Sequence, residues 1–284
     1  GEKSLEAKEA RIIVKSLRPL PSVWYGLKDV EERFRKRYLD LILNPEVKEK
    51  LLVRSKIIDS LRADLAKEEF LEVETPILQP IPGGAKARPF VTHHNALDVD
   101  FYLRIAPELY LKRLLAGGLE KIFEIGRNFR NEGIDRDHNP EFTMLELYWA
   151  YQDYGGLMKF TEKLLEKWIP GKWQTSTFSE IVKKTTGKNF TKIPTKDLDG
   201  VFKKEICPKI IKPTLITDYP ESVMPLAKLK EDDPSLTESF QLIVNGAEIL
   251  KGFSELNDPV IQRKQMERQE KEYRGGNPEA SRLD

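Results

Sequence analysis

The stretch 123–151, FEIGRNFRNEGIDRDHNPEFTMLELYWAY, constrains the fold more than any other part of the chain. Across 123–129, apolar residues stand at Phe123, Ile125 and Phe129 with Arg127 between them, a period-two pattern that predicts a strand. The polar run 131–140, with Gly133, Asp135, Asp137, Asn139 and Pro140, predicts a turn-rich loop. Alternation then returns over 142–151, and two antiparallel strands joined by a charged loop satisfy the whole pattern. Successive side chains of a strand point to opposite faces. Phe142, Met144, Glu146 and Tyr148 therefore share one face, and Thr143, Leu145 and Leu147 the other. The second set has the composition of a core. The first sets a ring, a carboxylate and a phenol along a line of about 20 Å, at roughly 3.3 Å per residue, enough to touch both ends of an extended ligand. A half-buried strand with its polar residues in water has the same pattern. The ion-rich triplet Arg130-Asn131-Glu132 at the hairpin mouth favours a site.

With 284 residues the chain is long enough to bury a sizeable core, as one large domain or two small ones. Hydrophobic residues make up 39% and charged residues 33%, a globular mixture. A net charge of +1 excludes a global basic field, although a local patch would suffice to bind a nucleic acid. The single cysteine, Cys207, excludes a disulfide framework and a zinc finger. Residues 1–9 are charged and no apolar run reaches about 18 residues, so a soluble cytoplasmic protein is expected.

Residues 10–17 alternate and are followed by Pro19 and Pro21, which predicts the last strand of a preceding domain and a proline-stiffened linker. Residues 29–43 have helical spacing, and 46–67 form a helix with a stripe of Val47, Leu51, Ile58, Leu61 and Leu65. The strand 70–76 ends at Pro76, which suits an edge; a subunit interface and a plain turn fit equally. Gly83 and Gly84 permit close backbone approach to a ligand, or simply turn a loop. Strands at 88–92 and 99–105 flank His93 and His94, which point apart and make a poor metal pair. A helix over 107–115 starts with Pro107 and Glu108. That carboxylate gains about 0.3–1 kcal/mol from the helix dipole, or anchors a cationic amine. A helix over 157–168 follows, 171–206 carries no assignable pattern, and 213–220 reads as a buried strand.

The strongest hairpin signal is Asn245-Gly246 between 239–244 and 247–250, a type I′ turn. It sets Ile243 opposite Glu248 and Gln241 opposite Leu250, so that Gln241 and Glu248 share a face as diagonal neighbours. Simple alternation puts Glu248 and Phe253 on opposite faces unless a bulge intervenes near Gly252. A charged helix covers 259–273.

Arg130-Asn131-Glu132, His138-Asn139-Pro140-Glu141-Phe142-Thr143 and Gly252-Phe253-Ser254-Glu255-Leu256-Asn257-Asp258-Pro259, taken together, resemble the class II lysyl-tRNA synthetases. Residues 70–76 resemble the first class II motif, at the dimer interface, and 129–146 the second. Residues 82–90 and 106–112 also resemble signatures of the lysyl enzymes, in the family's order. The resemblance implies an α+β fold with a mixed, mainly antiparallel sheet flanked by helices. It implies that 1–26 is the remnant of an OB-type anticodon-binding domain plus linker, and that 27–284 is a catalytic domain ending before the third motif. A fragment or truncated form is therefore expected, with little activity of its own.

The function implied is ATP-dependent activation of L-lysine and its transfer to tRNA(Lys), with magnesium, by a homodimer. By the same resemblance Arg130 is the catalytic residue at the α-phosphate, Glu132 reads adenine, Phe142 stacks on it, and His138 lies near the outer phosphates. Gly84 and Glu108 would hold the α-amino group, while Glu146, Tyr148 and Glu255 would face the side-chain ammonium, with Phe253 on its stem. A compact ammonium with three donors and no acceptor suits carboxylates and a phenol. Two positions depart from the family. Where it holds magnesium with two glutamates, this chain has Gln241 and Glu248; where it has asparagine, this chain has Lys251. That lysine would bind the substrate carboxylate or repel its ammonium. Rival readings are a lysine ligase paralogue acting on a protein, and a non-catalytic synthetase-like binding or regulatory protein.

Overall fold

A computed structural model describes residues 3–4, 6–21, 27–135 and 138–276. The chain divides into two compact units, Gly1–Ser60 and Leu61–Asp284.

In the first unit, residues 10–17 form no strand among the described residues, and Ile12, Val14 and Leu17 are exposed. Alternation records only a side-chain preference, whereas a strand exists when a neighbour receives its backbone groups. The helix expected over 29–43 is two helices, α1 (Val30–Arg35) and α2 (Arg37–Leu43). Asp29 caps α1 by accepting from the Glu32 amide at 2.7 Å. The break falls at Lys36, and the Asp40 carboxylate gathers Arg33 at 2.7 Å, Arg37 at 2.5 Å and Asn44 at 2.6 Å around it. Helix α3 (Pro45–Lys67) follows.

The second unit contains the strands, in three ladders. The first joins β1 (Leu71–Glu72), β5 (Lys121–Phe129) and β6 (Glu141–Trp149); the second, β2 (Leu78–Gln79), β4 (Val99–Leu103) and β3 (Val91–His94). The third runs β10 (Ala247–Phe253), β9 (Ser239–Val244), β8 (Thr214–Thr217) and β7 (Gln174–Thr177). Only β1–β5 and β7–β8 pair in parallel; the other pairs are antiparallel. The fold is α+β, as expected. The strand expected over 70–76 is reduced to β1 plus one further backbone bond, Val73 N–H to Phe123 at 2.9 Å.

The β5–β6 hairpin pairs without a bulge from Phe129↔Glu141 to Lys121↔Trp149. Leu145, Leu147 and Trp149 turn toward a core with Phe70, Phe123, Leu65 and two residues of helix α5 (Tyr154–Leu165), Phe160 and Leu164. Phe70 meets the Trp149 ring edge-on and stacks on Phe160, both at 5.5 Å between centroids. With that face committed to the core, Phe142, Met144, Glu146 and Tyr148 are left on the other.

A buried ion pair fastens the ladders together. Arg104, just after β4, is 1% exposed, and its Nη1 lies 2.5 Å from Oε1 of Glu124 on β5. Its remaining donors reach the Arg127 carbonyl at 2.8 Å and the Thr75 hydroxyl at 3.0 Å, and that hydroxyl donates to Glu124 Oε2 at 2.6 Å. A Cβ at Gly126 would collide with the guanidinium, so glycine is required where β5 passes beneath it.

The unassigned region 171–206 contains β7, then directly α6 (Phe178–Thr186), and α7 (Thr195–Val201), with a short helical turn after each helix, Phe190–Lys192 and Phe202–Ile206. A capping box between Thr177 and Glu180 starts α6, and Gly187, at φ 73°, ends it. Phe178, Val182, Phe202 and Ile206 then pack on one face of the β7–β10 ladder with Ile216 and Ile243. Phe240 and Leu242 line the opposite face with α5 residues. Helix α8 (Pro259–Arg274) begins at Pro259 with Asp258 as its cap.

Candidate functional site

The site is built where β6, β10 and the start of helix α4 (Glu108–Ala116) converge. Glu108 enters α4 directly after Pro107, and the backbone of Gly84 lies against it. Gly84 has φ 85°, and a Cβ there would sit 2.7 Å from the Glu108 Cβ, so both conformation and space demand glycine. One turn along α4, Lys112 lies over Glu108 with its Nζ 2.7 Å from Oε1. The same ammonium is 2.9 Å from Glu255 Oε2. Two carboxylates distant in sequence are thus joined through one cation.

Glu146 and Tyr148, on β6, share a hydrogen bond of 3.3 Å from the phenol to the carboxylate. Burial, and then the charge of Glu108, push the Glu146 carboxyl up to about 7; Tyr148, Lys251 and Arg130 pull it back. Tyr148 is raised well above its ordinary value by burial and by Glu108, Glu146 and Glu255, so the phenol keeps its proton. Glu255 is also raised by burial, with Lys112 opposing. For Lys112, burial alone would lower the pKa, but Glu108 and Glu255 outweigh it and hold the ammonium charged.

Two consequences follow for Glu146. Its folded pKa lies above the ordinary carboxyl value of 4.5, so its contribution to stability is fully present below 4.5 and is lost as pH rises through about 7. Glu146→Gln should therefore raise the melting temperature relative to the parent more at pH 8 than at pH 5. An equal difference at both pH values would contradict the assignment.

At the hairpin mouth, the Arg130 guanidinium lies 5.1 Å over the Phe142 ring, and its backbone N–H donates to Pro140 at 2.9 Å. Its Nε is buried with no hydrogen-bond partner among the described residues. Glu132 and His138 are exposed, and His138 pairs with Asp135 at 2.8 Å rather than with Arg130 or Phe142.

The type I′ turn is present, with Asn245 at φ 49° and Gly246 at φ 78°. Ile243 faces Glu248 as expected, but Gln241 faces Lys251, not Leu250, because the ladder shifts between Glu248 and Leu250. The bulge needed to bring Glu248 and Phe253 to one side exists, and it lies at Ile249 rather than near Gly252. Gln241, Glu248, Lys251 and Phe253 consequently share a face. Phe253 packs partly against the apolar core there.

Gln241 is turned away from metal chemistry. Its carbonyl oxygen accepts from the Tyr219 hydroxyl at 2.8 Å, and its amide donates to Glu248 Oε2 at 3.4 Å. Glu248 is left as the one carboxylate of the pair, and no cluster of three or more His, Cys, Asp or Glu among the described residues could hold a metal ion. The residues present do not fit a protein-held magnesium.

The structure therefore joins Gly84, Glu108, Glu146, Tyr148 and Glu255 around one centre, sets Arg130 and Phe142 beside it, and leaves Glu132 and His138 outside. Lys112 is the residue sequence reasoning missed. Its i,i+4 spacing from Glu108 was the available signal, since such pairs are neighbours on a helix. No helix among the described residues is long and apolar enough to cross a membrane.

A family model described as tRNA synthetases class II (D, K and N) matches residues 29–281. A lysine–tRNA ligase of Pelotomaculum thermopropionicum is 47% identical over all of this chain and 64% of its own length. Similar proteins of that name from Moorella thermoacetica and Aquifex aeolicus are 46% and 45% identical over all of this chain, and 66% and 54% of theirs. The chain thus spans just under two thirds of the curated relatives first matched. With the match running through both the hairpin and the carboxylate cluster, the chain belongs to the class II tRNA synthetases (D, K and N).

Proposed function

We propose that the chain carries the amino-acid activation site of a lysine–tRNA ligase, which joins L-lysine to ATP and passes the aminoacyl group to tRNA(Lys). One observation carries the choice of lysine within a family that spans D, K and N: three carboxylates, Glu108, Glu146 and Glu255, gather with the Tyr148 phenol around a single resident cation, Lys112, leaving an excess of negative charge. Such a pocket favours a diamino acid and opposes an acidic one. The name shared by the similar proteins supports the same reading.

In this reading Gly84 and Glu108 hold the α-amino group. Glu146, Tyr148 and Glu255 hold the side-chain ammonium, with Phe253 beside its stem. A lysine carboxylate oxygen bonds to the α-phosphorus as the bond to pyrophosphate breaks, and Arg130 neutralises charge on the α-phosphoryl oxygens. The gain is electrostatic positioning rather than acid–base work. Phe142 stacks on adenine, and Glu132 and His138 close on the nucleotide from their exposed positions. Glu248 is the one carboxylate of that face that would be offered to a metal ion carried on the phosphates of ATP. A homodimer accords with the short edge strand β1, where Leu71 is 52% exposed. We place the protein in the cytoplasm, where tRNA is charged.

Gln241 and Lys251 are the observations that favour a non-catalytic relative. Lysine-dependent exchange of pyrophosphate into ATP by the full-length protein separates the two. Exchange with lysine, and none with aspartate or asparagine, is the expected result. No exchange from folded protein would overturn the proposal.

A further inference from the structure

We infer that Lys112 is a positioning residue of the amino-acid pocket, a resident cation that sets the pocket's charge so that it accepts two further ammonium groups. The inference rests on the lysine reading above. Three carboxylates, Glu108, Glu146 and Glu255, converge there, and the Lys112 ammonium lies 2.7 Å from the first and 2.9 Å from the third. Lysine brings two ammonium groups. Three anions then meet three cations, while the substrate carboxylate is left to Arg130 and Lys251, the other cations acting on Glu146. Lys112 also bridges α4 to the chain beyond β10, so it fixes the relative position of Glu108 and Glu255. Its side chain is 23% exposed, so water screens these contacts only weakly.

Without the Lys112 charge, three carboxylates would share two cations in a poorly solvated site, and the proton that Glu146 holds up to about pH 7 in the parent would be held to higher pH. The groups that contact Lys112 are Glu108 on its own helix and Glu255 after β10, while Glu146 and Tyr148 on β6 act on the same site through Glu108. Burial raises Glu146 and Glu255, and Tyr148 stays protonated. Lysine binding would then require that proton to leave, and would become more pH-dependent.

The test is lysine affinity, read from the lysine KM and kcat of pyrophosphate exchange in the full-length protein from pH 6 to 9. Lys112→Met should raise KM about tenfold or more at pH 7, with a smaller change in kcat, and the deficit should narrow toward pH 9. Lys112→Arg, which keeps the charge, should retain the parent's pH profile. If the methionine variant does not fold, Lys112→Gln replaces it. Should neither neutral variant fold while the arginine variant does, Lys112 is a stability residue and the inference falls. A neutral variant that binds lysine as well as the parent at every pH, or better, also overturns it. If the parent itself shows no lysine-dependent exchange, it is the lysine reading that fails.

Discussion

Replacing Arg130 by alanine is expected to lower lysine-dependent pyrophosphate exchange by about a thousandfold while leaving the melting temperature near the parent's. The guanidinium is held from below by the Phe142 ring at 5.1 Å and from behind by the bond of its own backbone to Pro140. Its Nε is buried and unpartnered among the described residues. Buried donors are nearly always satisfied, and an exception at the mouth of a carboxylate pocket suits a group reserved for a ligand. Lysine at this position would keep the charge but lose the planar fork, so Arg130→Lys should recover only part of the rate. Because the side chain makes no ion pair among the described residues, the fold should tolerate its loss. Exchange at the parent's rate would remove Arg130 from the chemistry.

The largest effect on stability is expected at Glu124. Glu124→Ala leaves the Arg104 charge buried without its carboxylate, at a cost of about 3–5 kcal/mol. The network includes Thr75 and the Arg127 carbonyl, so the loss would spread from β5 to the end of β4 and the β1–β2 connection. Urea unfolding at neutral pH measures it. The double variant Arg104→Met with Glu124→Ala should be more stable than Glu124→Ala alone, because no unpaired charge remains. A loss below about 1 kcal/mol for the single variant, the range of an exposed pair, would show that the pair is not a structural clamp.

Much of this arrangement is legible in the sequence. Period-two alternation locates β5 and β6 and assigns Leu145 and Leu147 to the core, because one face of that hairpin packs on the Phe70–Phe123 core and leaves little freedom of register. Asn245-Gly246 identifies the β9–β10 turn because few other pairs accept two positive φ angles. Motif resemblance nominated Glu108, Glu146, Tyr148 and Glu255, and these do converge.

What escaped depended on interactions between distant segments. The pairing of Gln241 with Lys251 follows from a bulge at Ile249, which no local pattern announces. The Arg104–Glu124 clamp joins residues from separate ladders, and each alone resembles an ordinary charged strand residue. Residues 171–206 were unreadable because their order comes from caps and from packing of Phe178 and Phe202, not from a long periodic run. Residues 10–17 show the opposite error, a good strand pattern with no described partner. Lys112 lies within one of the family-like motifs, but an i,i+4 glutamate–lysine pair on a helix is usually a surface feature. Only the approach of Glu255 makes it part of a site.

The central claim is that carboxylates and a phenol, already arranged around one ammonium, select lysine by its charge. The most direct test is pyrophosphate exchange in the full-length protein with lysine and with norleucine, which has the same stem but no side-chain ammonium. A site left with unpaired carboxylates should disfavour norleucine by about 10,000-fold in kcat/KM. Exchange with norleucine within about tenfold of lysine would contradict the account.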